Sequence, residues 1–196
     1  YRTHALALGD VDGDGDRDLV VGNTNQLGQQ SLLYLNNGTG TFSDATASRM
    51  PVGSYNTSSL ALGDVDGDGD LDMVVGNRDQ QSRLYLNNGT GTFTDATATN
   101  MPLGNYLTSS LALGDVDGDG DLDLVLGNAG FALQQSRLYL NDGTGTFTDA
   151  TATRMPIGNN NPGSLSLADV DGDGDRDLVV GNWYLQSLQN RLYLND

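Results

Sequence analysis

The stretch Asp64-Val65-Asp66-Gly67-Asp68-Gly69-Asp70-Leu71-Asp72 places five carboxylates within nine residues. The same pattern begins at Asp10, Asp115 and Asp169, so successive copies are offset by 54, 51 and 54 residues. Its surroundings recur too. Leu-Ala-Leu-Gly precedes the first three copies, and a short apolar run and Gly-Asn follow each one. Further on come Leu-Tyr-Leu-Asn and Gly-Thr-Gly-Thr-Phe-(Ser/Thr)-Asp-Ala-Thr-Ala. Self-similarity at a fixed period is the primary evidence for a repeat architecture. Four units account for nearly all of the 196 residues, at about 1–47, 48–98, 99–152 and 153–196, and form one repeat domain.

Each unit reads as four short strands. In the second unit, Ser59–Gly63 sets Leu60 and Leu62 on one face and Ala61 on the other. Asp72–Gly76 carries Met73-Val74-Val75, apolar on both faces and therefore expected to be buried on both. Arg83–Asn87 alternates Leu84 and Leu86 against Tyr85, and Thr92–Ala98 is more polar, as an outer strand would be. Asn37-Gly38, Asn88-Gly89 and Asp142-Gly143 separate the third and fourth strands, a strong hairpin signal. Helical spacing is absent, and 27 glycines weigh against helices. The fold class is all-β. A period of about 50 residues with four antiparallel strands indicates a β-propeller blade. A stacked β-solenoid is the competing architecture, but its coils are less than half as long.

Composition removes several function classes. The formal net charge is −17, all acidic residues are Asp, all basic ones are Arg, and there is no Cys. So acidic a surface repels a phosphate backbone, which argues against nucleic acid. No apolar run approaches the ~20 residues of a spanning helix, and no basic amphipathic segment suits a lipid surface. Disulfides, thiol nucleophiles and thiolate metal sites are excluded. No signal peptide or targeting tail is present, but the chain starts and stops inside its repeat, so nothing about location follows.

Twenty of the 26 acidic residues lie in the four loops. Two like charges ~4 Å apart repel by roughly 1–4 kcal/mol. Five in one tight turn, four times over, would rival the ~5–15 kcal/mol of a whole domain's stability. Pinned between two strands, the loops need a cation. Alternate all-oxygen donors with turn glycines suit Ca²⁺, one ion per repeat and four in all, better than Mg²⁺. An EF-hand would need an acidic residue at loop position twelve, where Val21, Val75, Leu126 and Val180 stand, and flanking helices.

These loops and their flanks resemble the FG-GAP/VCBS-type repeats of integrin α-subunit propellers and of many bacterial secreted proteins. The resemblance implies side-chain ligands at positions one, three, five and nine. In the first unit these are Asp10, Asp12, Asp14 and Asp18; in the second, Asp64, Asp66, Asp68 and Asp72. In the third they are Asp115, Asp117, Asp119 and Asp123; in the fourth, Asp169, Asp171, Asp173 and Asp177. Position seven would ligate through its carbonyl, with the Asp16, Asp70, Asp121 and Asp175 side chains pointing outward. The Phe-Gly pair of the integrin repeats is missing, with Asn56-Thr57 in its place, so integrin ligand chemistry does not transfer. A ring of about six to eight blades is the family's habit. Tyr1 aligns with Tyr55 and Tyr106, and the chain stops after a third strand. It reads either as an excerpt of a larger ring or as a chain completed by its own copies.

Antiparallel order puts the uniform Asp loops and Asn-Gly turns on one face and the variable loops on the other. Binding favours variable loops on a rigid scaffold. Phe131, Trp183 and Tyr184 stand there as candidates for stacking on a carbohydrate or protein ligand, against a plain packing role. Catalysis has little to use. His4 is a stray residue where other units have Ser58 and Ser109, and Asp44, Asp95 and Asp149 recur as structural residues. The sequons at Asn37, Asn56 and Asn88 need only turn chemistry. The expectation is a non-enzymatic, extracellular, calcium-stabilised binding or adhesion module. Two rival readings are a self-assembling surface fibre or layer and the accessory propeller of a secreted enzyme.

Overall fold

In a computed structural model the described residues are 2–24, 28–130, 134–158, 161–183 and 189–196. Phe131, Tyr184 and Tyr1 lie outside them. The second unit contains β5 (Thr57–Gly63), β6 (Asp72–Gln80), β7 (Arg83–Asn87) and β8 (Phe93–Asp95), each antiparallel to the next. The first contains β1 (Thr3–Gly9), β2 (Asp18–Asn23), β3 (Leu32–Asn36) and β4 (Phe42–Asp44); the third, β9 (Tyr106–Gly114), β10 (Asp123–Asn128), β11 (Arg137–Asn141) and β12 (Phe147–Asp149). The fourth has β13 (Pro162–Ala168), β14 (Asp177–Asn182) and β15 (Arg191–Tyr193). The first strands of successive units pack side by side, as in a β-propeller. Among the described residues no helix is long and apolar enough to cross a membrane.

The core lies between blades, and strand two makes it. Met73 and Val75 face the first unit's Val11, Val20 and Leu33, while Val74 faces the third unit's Leu124 and Leu126. Met73, Val74 and Val75 are at most 1% exposed, as three consecutive apolar residues between two neighbours must be. Phe93 and Phe147 close their interfaces from strand four. Blades approach closely: a Cβ on Gly63 would stand 2.8 Å from Leu122 of the next unit.

Strand four corrects the sequence reading. It stops at Asp44, Asp95 and Asp149, and helical turns α1 (Thr46–Arg49), α2 (Thr97–Asn100) and α3 (Thr151–Arg154) follow. The cause is local. Asp95 Oδ1 accepts the N–H of Thr97, which bends the chain, and the Thr97 hydroxyl accepts the Leu84 N–H that a longer strand would have taken. Asp44 with Thr46, and Asp149 with Thr151, do the same. Asp95 and Asp149 also pair with Arg83 and Arg137 at 3.5 and 3.6 Å, and those guanidinium groups lie over the Tyr55 and Tyr106 rings.

An Asn that closes strand three, or stands two residues beyond it in the fourth unit, locks neighbouring units. Asn87 Nδ2 donates to Val11 O, Asn141 Nδ2 to Val65 O and Asn195 Nδ2 to Val116 O, at 2.7–2.8 Å. Each crosses from one blade to the loop of the blade before it. Asn36 spends the same group on Arg17 O, an exposed bond within its own unit. Asn141→Ala strands a buried carbonyl and should cost about 1–3 kcal/mol, whereas Asn36→Ala should be near neutral. Denaturant melts of the two variants test this, and equal losses would remove the inter-blade bond as the cause.

Candidate metal centres

Each loop is built by its own carboxylates. Gly67 and Gly69 have φ of 76° and 93°, backbone that favours glycine, and their N–H groups donate to the two oxygens of Asp64 at 2.8 and 3.0 Å. Asp10, Asp115 and Asp169 hold their loops in the same way. Position nine anchors the loop to the sheet. Asp72 is fully buried, and its oxygens accept the N–H groups of Val65, at loop position two, and Asn87, at the end of strand three. Asp18, Asp123 and Asp177 do likewise.

Positions one, three and nine converge. Asp10, Asp12 and Asp18 each offer an oxygen within 4.8 Å of the others, as do Asp64, Asp66 and Asp72, then Asp115, Asp117 and Asp123, and Asp169, Asp171 and Asp177. Position five, expected beside them, is not in these trios. The carboxylates of Asp14, Asp68, Asp119 and Asp173 each accept the N–H of position seven through Oδ1. Position seven leaves the cluster but does not simply point outward. Asp16, Asp70 and Asp121 lie against Gly38, Gly89 and Gly143 of the adjoining hairpin turns, which share this face.

The trios carry an electrostatic load. Burial pushes the Asp72 carboxyl up to about 6, against the N–H groups of Asn87 and Val65 that favour its charge. Burial likewise raises Asp123, and burial with neighbouring carboxylates raises Asp12, Asp66, Asp117 and Asp171. Asp177, in the last unit, is instead held low by the N–H groups of Asn195 and Val170. Two arginines relieve part of the load: Arg49 lies 3.9 Å from Asp12, and Arg154 lies 3.5 Å from Asp117. In the second unit Asn100 takes that place and bonds Gly145 O.

A hard divalent cation fits this donor set. Asp12 Oδ1 and Asp66 Oδ1 are buried and accept no hydrogen bond, although an ionised oxygen in such a place normally has donors. All donors are oxygen, and three carboxylates converge on one point in every unit.

On the opposite face Trp183 is 57% exposed and lies over Gly163, and its main-chain N–H holds Asn161 O. The sequence reading missed a second apolar feature. Val52, Leu103 and Ile157 are 91%, 84% and 98% exposed at equivalent places between α-turn and next blade. Their signal was an aliphatic residue set between Pro and Gly in Met-Pro-x-Gly, where a turn residue is expected. This segment adjoins the variable loops, since Gln81 Nε2 donates to Pro102 O.

No curated protein matches the sequence. Among solved structures, the V. cholerae biofilm matrix protein Bap1 is similar at TM-score 0.51 and 21% identity, a likeness of fold. It covers 90% of this chain and 23% of Bap1, so the chain spans about a quarter of that protein's length. The FG-GAP repeat family matches residues 107–146. The FG-GAP-like repeat matches residues 10–75, 64–126 and 128–180, which takes in all four aspartate loops and most of the strands that carry them. A propeller whose every blade repeats this loop is therefore placed by its sequence as well as its architecture: the chain belongs to the FG-GAP-like repeat family.

Proposed function

We propose that this chain is an extracellular, non-enzymatic binding module of adhesion type, stabilised by four Ca²⁺ ions, that takes a carbohydrate or protein ligand on its variable-loop face. The observation that carries the calcium reading is the convergence of three carboxylates in each loop around oxygens that protein donors leave unmet. Positions one, three and nine would hold the ion: Asp10, Asp12 and Asp18 in the first unit and their counterparts in the others. The ion would supply positive charge there and cancel about half of the formal −17. The chain's own residues do the rest. Position one closes the turn, and position nine ties strands two and three to the loop. The strand-three Asn passes that tie to the preceding blade. Extracellular sites of this type commonly bind at ~10⁻⁴–10⁻³ M, which suits a medium rich in calcium.

The adhesion reading is supported by the family and by the fold shared with a biofilm matrix protein. Trp183 supplies an exposed ring for stacking on a sugar or an apolar side chain, and Val52, Leu103 and Ile157 add one aliphatic group per blade.

Titration calorimetry should give four ions per chain, and chelation should lower Tm by several degrees. An unchanged Tm would take calcium out of the account. Asp66→Asn should lower the count to three without loss of fold, because its Oδ1 makes no bond within the protein. Asp70→Asn should leave the count at four; equal losses would refute the assignment of positions three and seven. On a glycan array, Trp183→Ala should abolish carbohydrate binding with calcium stoichiometry intact, and undiminished binding would move the ligand site elsewhere.

A further inference from the structure

The first three metal loops share their aspartates and differ in what the following helical turn sets beside them. The turns α1, α2 and α3 end on Arg49, Asn100 and Arg154, at equivalent places in the repeat. Arg49 Nη1 lies 3.9 Å from Asp12 Oδ2, and Arg154 Nη1 lies 3.5 Å from Asp117 Oδ2. Both aspartates stand at loop position three, inside the carboxylate trio. Asn100 carries no charge, and its Nδ2 is spent on Gly145 O. The first and second loops form a matched pair, because the hairpin turn of the next blade covers both alike. A Cβ on Gly91 would stand 3.2 Å from Asp12 Cβ, and one on Gly145 would stand 3.2 Å from Asp66 Cβ. In both loops Oδ1 of position three is buried and accepts no hydrogen bond. What separates the two is one guanidinium.

Granted that the loops hold calcium, we propose that Arg49 and Arg154 grade the sites, so that the second loop binds the ion more tightly than the first and third. Two effects act in the same direction. In an empty loop the guanidinium neutralises part of the trio and stabilises the state without the ion. In a filled loop it adds a like charge to the surroundings of the cation. Partly buried charges are screened less by salt than exposed ones. At ~4 Å, even the weaker end of such interactions amounts to about tenfold in affinity. The arginine tunes the site without closing it, since it faces Oδ2 of Asp12 and leaves Oδ1 unbonded. As calcium falls, the second loop keeps its ion longest, while the first and third fall back on their own counter-charge.

Calcium alone, titrated into the intact chain, tests this when the main-chain N–H resonances of Gly13, Gly67 and Gly118 are followed by NMR. These groups donate to Asp10, Asp64 and Asp115, one reporter for each loop. Gly67 should reach its midpoint at about tenfold less calcium than Gly13 and Gly118. Arg49→Asn, which copies the second unit, should bring Gly13 down to the Gly67 midpoint and leave Gly118 in place. Without calcium the same variant should melt below the native chain, and it should gain more on calcium addition. Asn100→Arg should move Gly67 up toward the other two. Three glycines that shift together in the native chain, or a Gly13 midpoint indifferent to Arg49→Asn, would overturn the grading and leave the calcium reading standing. No response from any of the three would overturn both.

Discussion

A buried carboxylate accepting two main-chain N–H groups holds each unit together. Asp72 joins three separate pieces of chain: its own place at the start of strand two, the loop at Val65 and the end of strand three at Asn87. An ionised oxygen bonded by main-chain donors is among the stronger hydrogen-bonding arrangements available to a protein, and burial raises what is lost if either donor leaves. The bond also fixes where Asn87 sits, and so where its Nδ2 meets Val11 of the preceding blade. One aspartate per unit therefore sets the loop, the blade and the contact between blades.

The same arrangement creates its own difficulty. Holding Asp72 buried brings Asp64 and Asp66 within 4.8 Å, and burial disfavours charge on the very group that anchors the sheet. Arg49 and Arg154 answer this for two loops from the helical turns that follow strand four, reaching Asp12 and Asp117. The second loop has no such arginine, because Asn100 is spent on the next blade's hairpin at Gly145. The turns are thus part of the loop's electrostatics as well as a connection between blades. That is why a chain so polar in this segment still orders it.

Much of this was legible in the sequence because it rests on period and on side-chain alternation. Met73-Val74-Val75 announced burial on both faces, and Asn88-Gly89 announced the hairpin. The five aspartates announced a loop in which carboxylates are crowded together. What stayed hidden depends on which partner a polar side chain chooses. Thr97 could have continued a strand, but its hydroxyl takes the Leu84 N–H and ends the strand. Asn87 reads as the polar end of strand three, yet its amide crosses to Val11, 76 residues away. Position five also holds the turn, since Asp68 Oδ1 accepts the N–H of position seven.

The repeats are alike in sequence but unequal in how they join. After strand two, the second unit has the shortest loop, so β6 runs on and pairs Arg78 and Gln80 with Leu107 and Tyr106 of β9. The two middle blades become one continuous sheet of eight strands, off whose path β5 pairs β6. Among the described residues, the first and second units have only the isolated bridge between Gln29 and Tyr55 at that level. In repeat arrays, stability is close to a sum of unit and nearest-neighbour terms. The centre of this chain therefore holds its most connected interface.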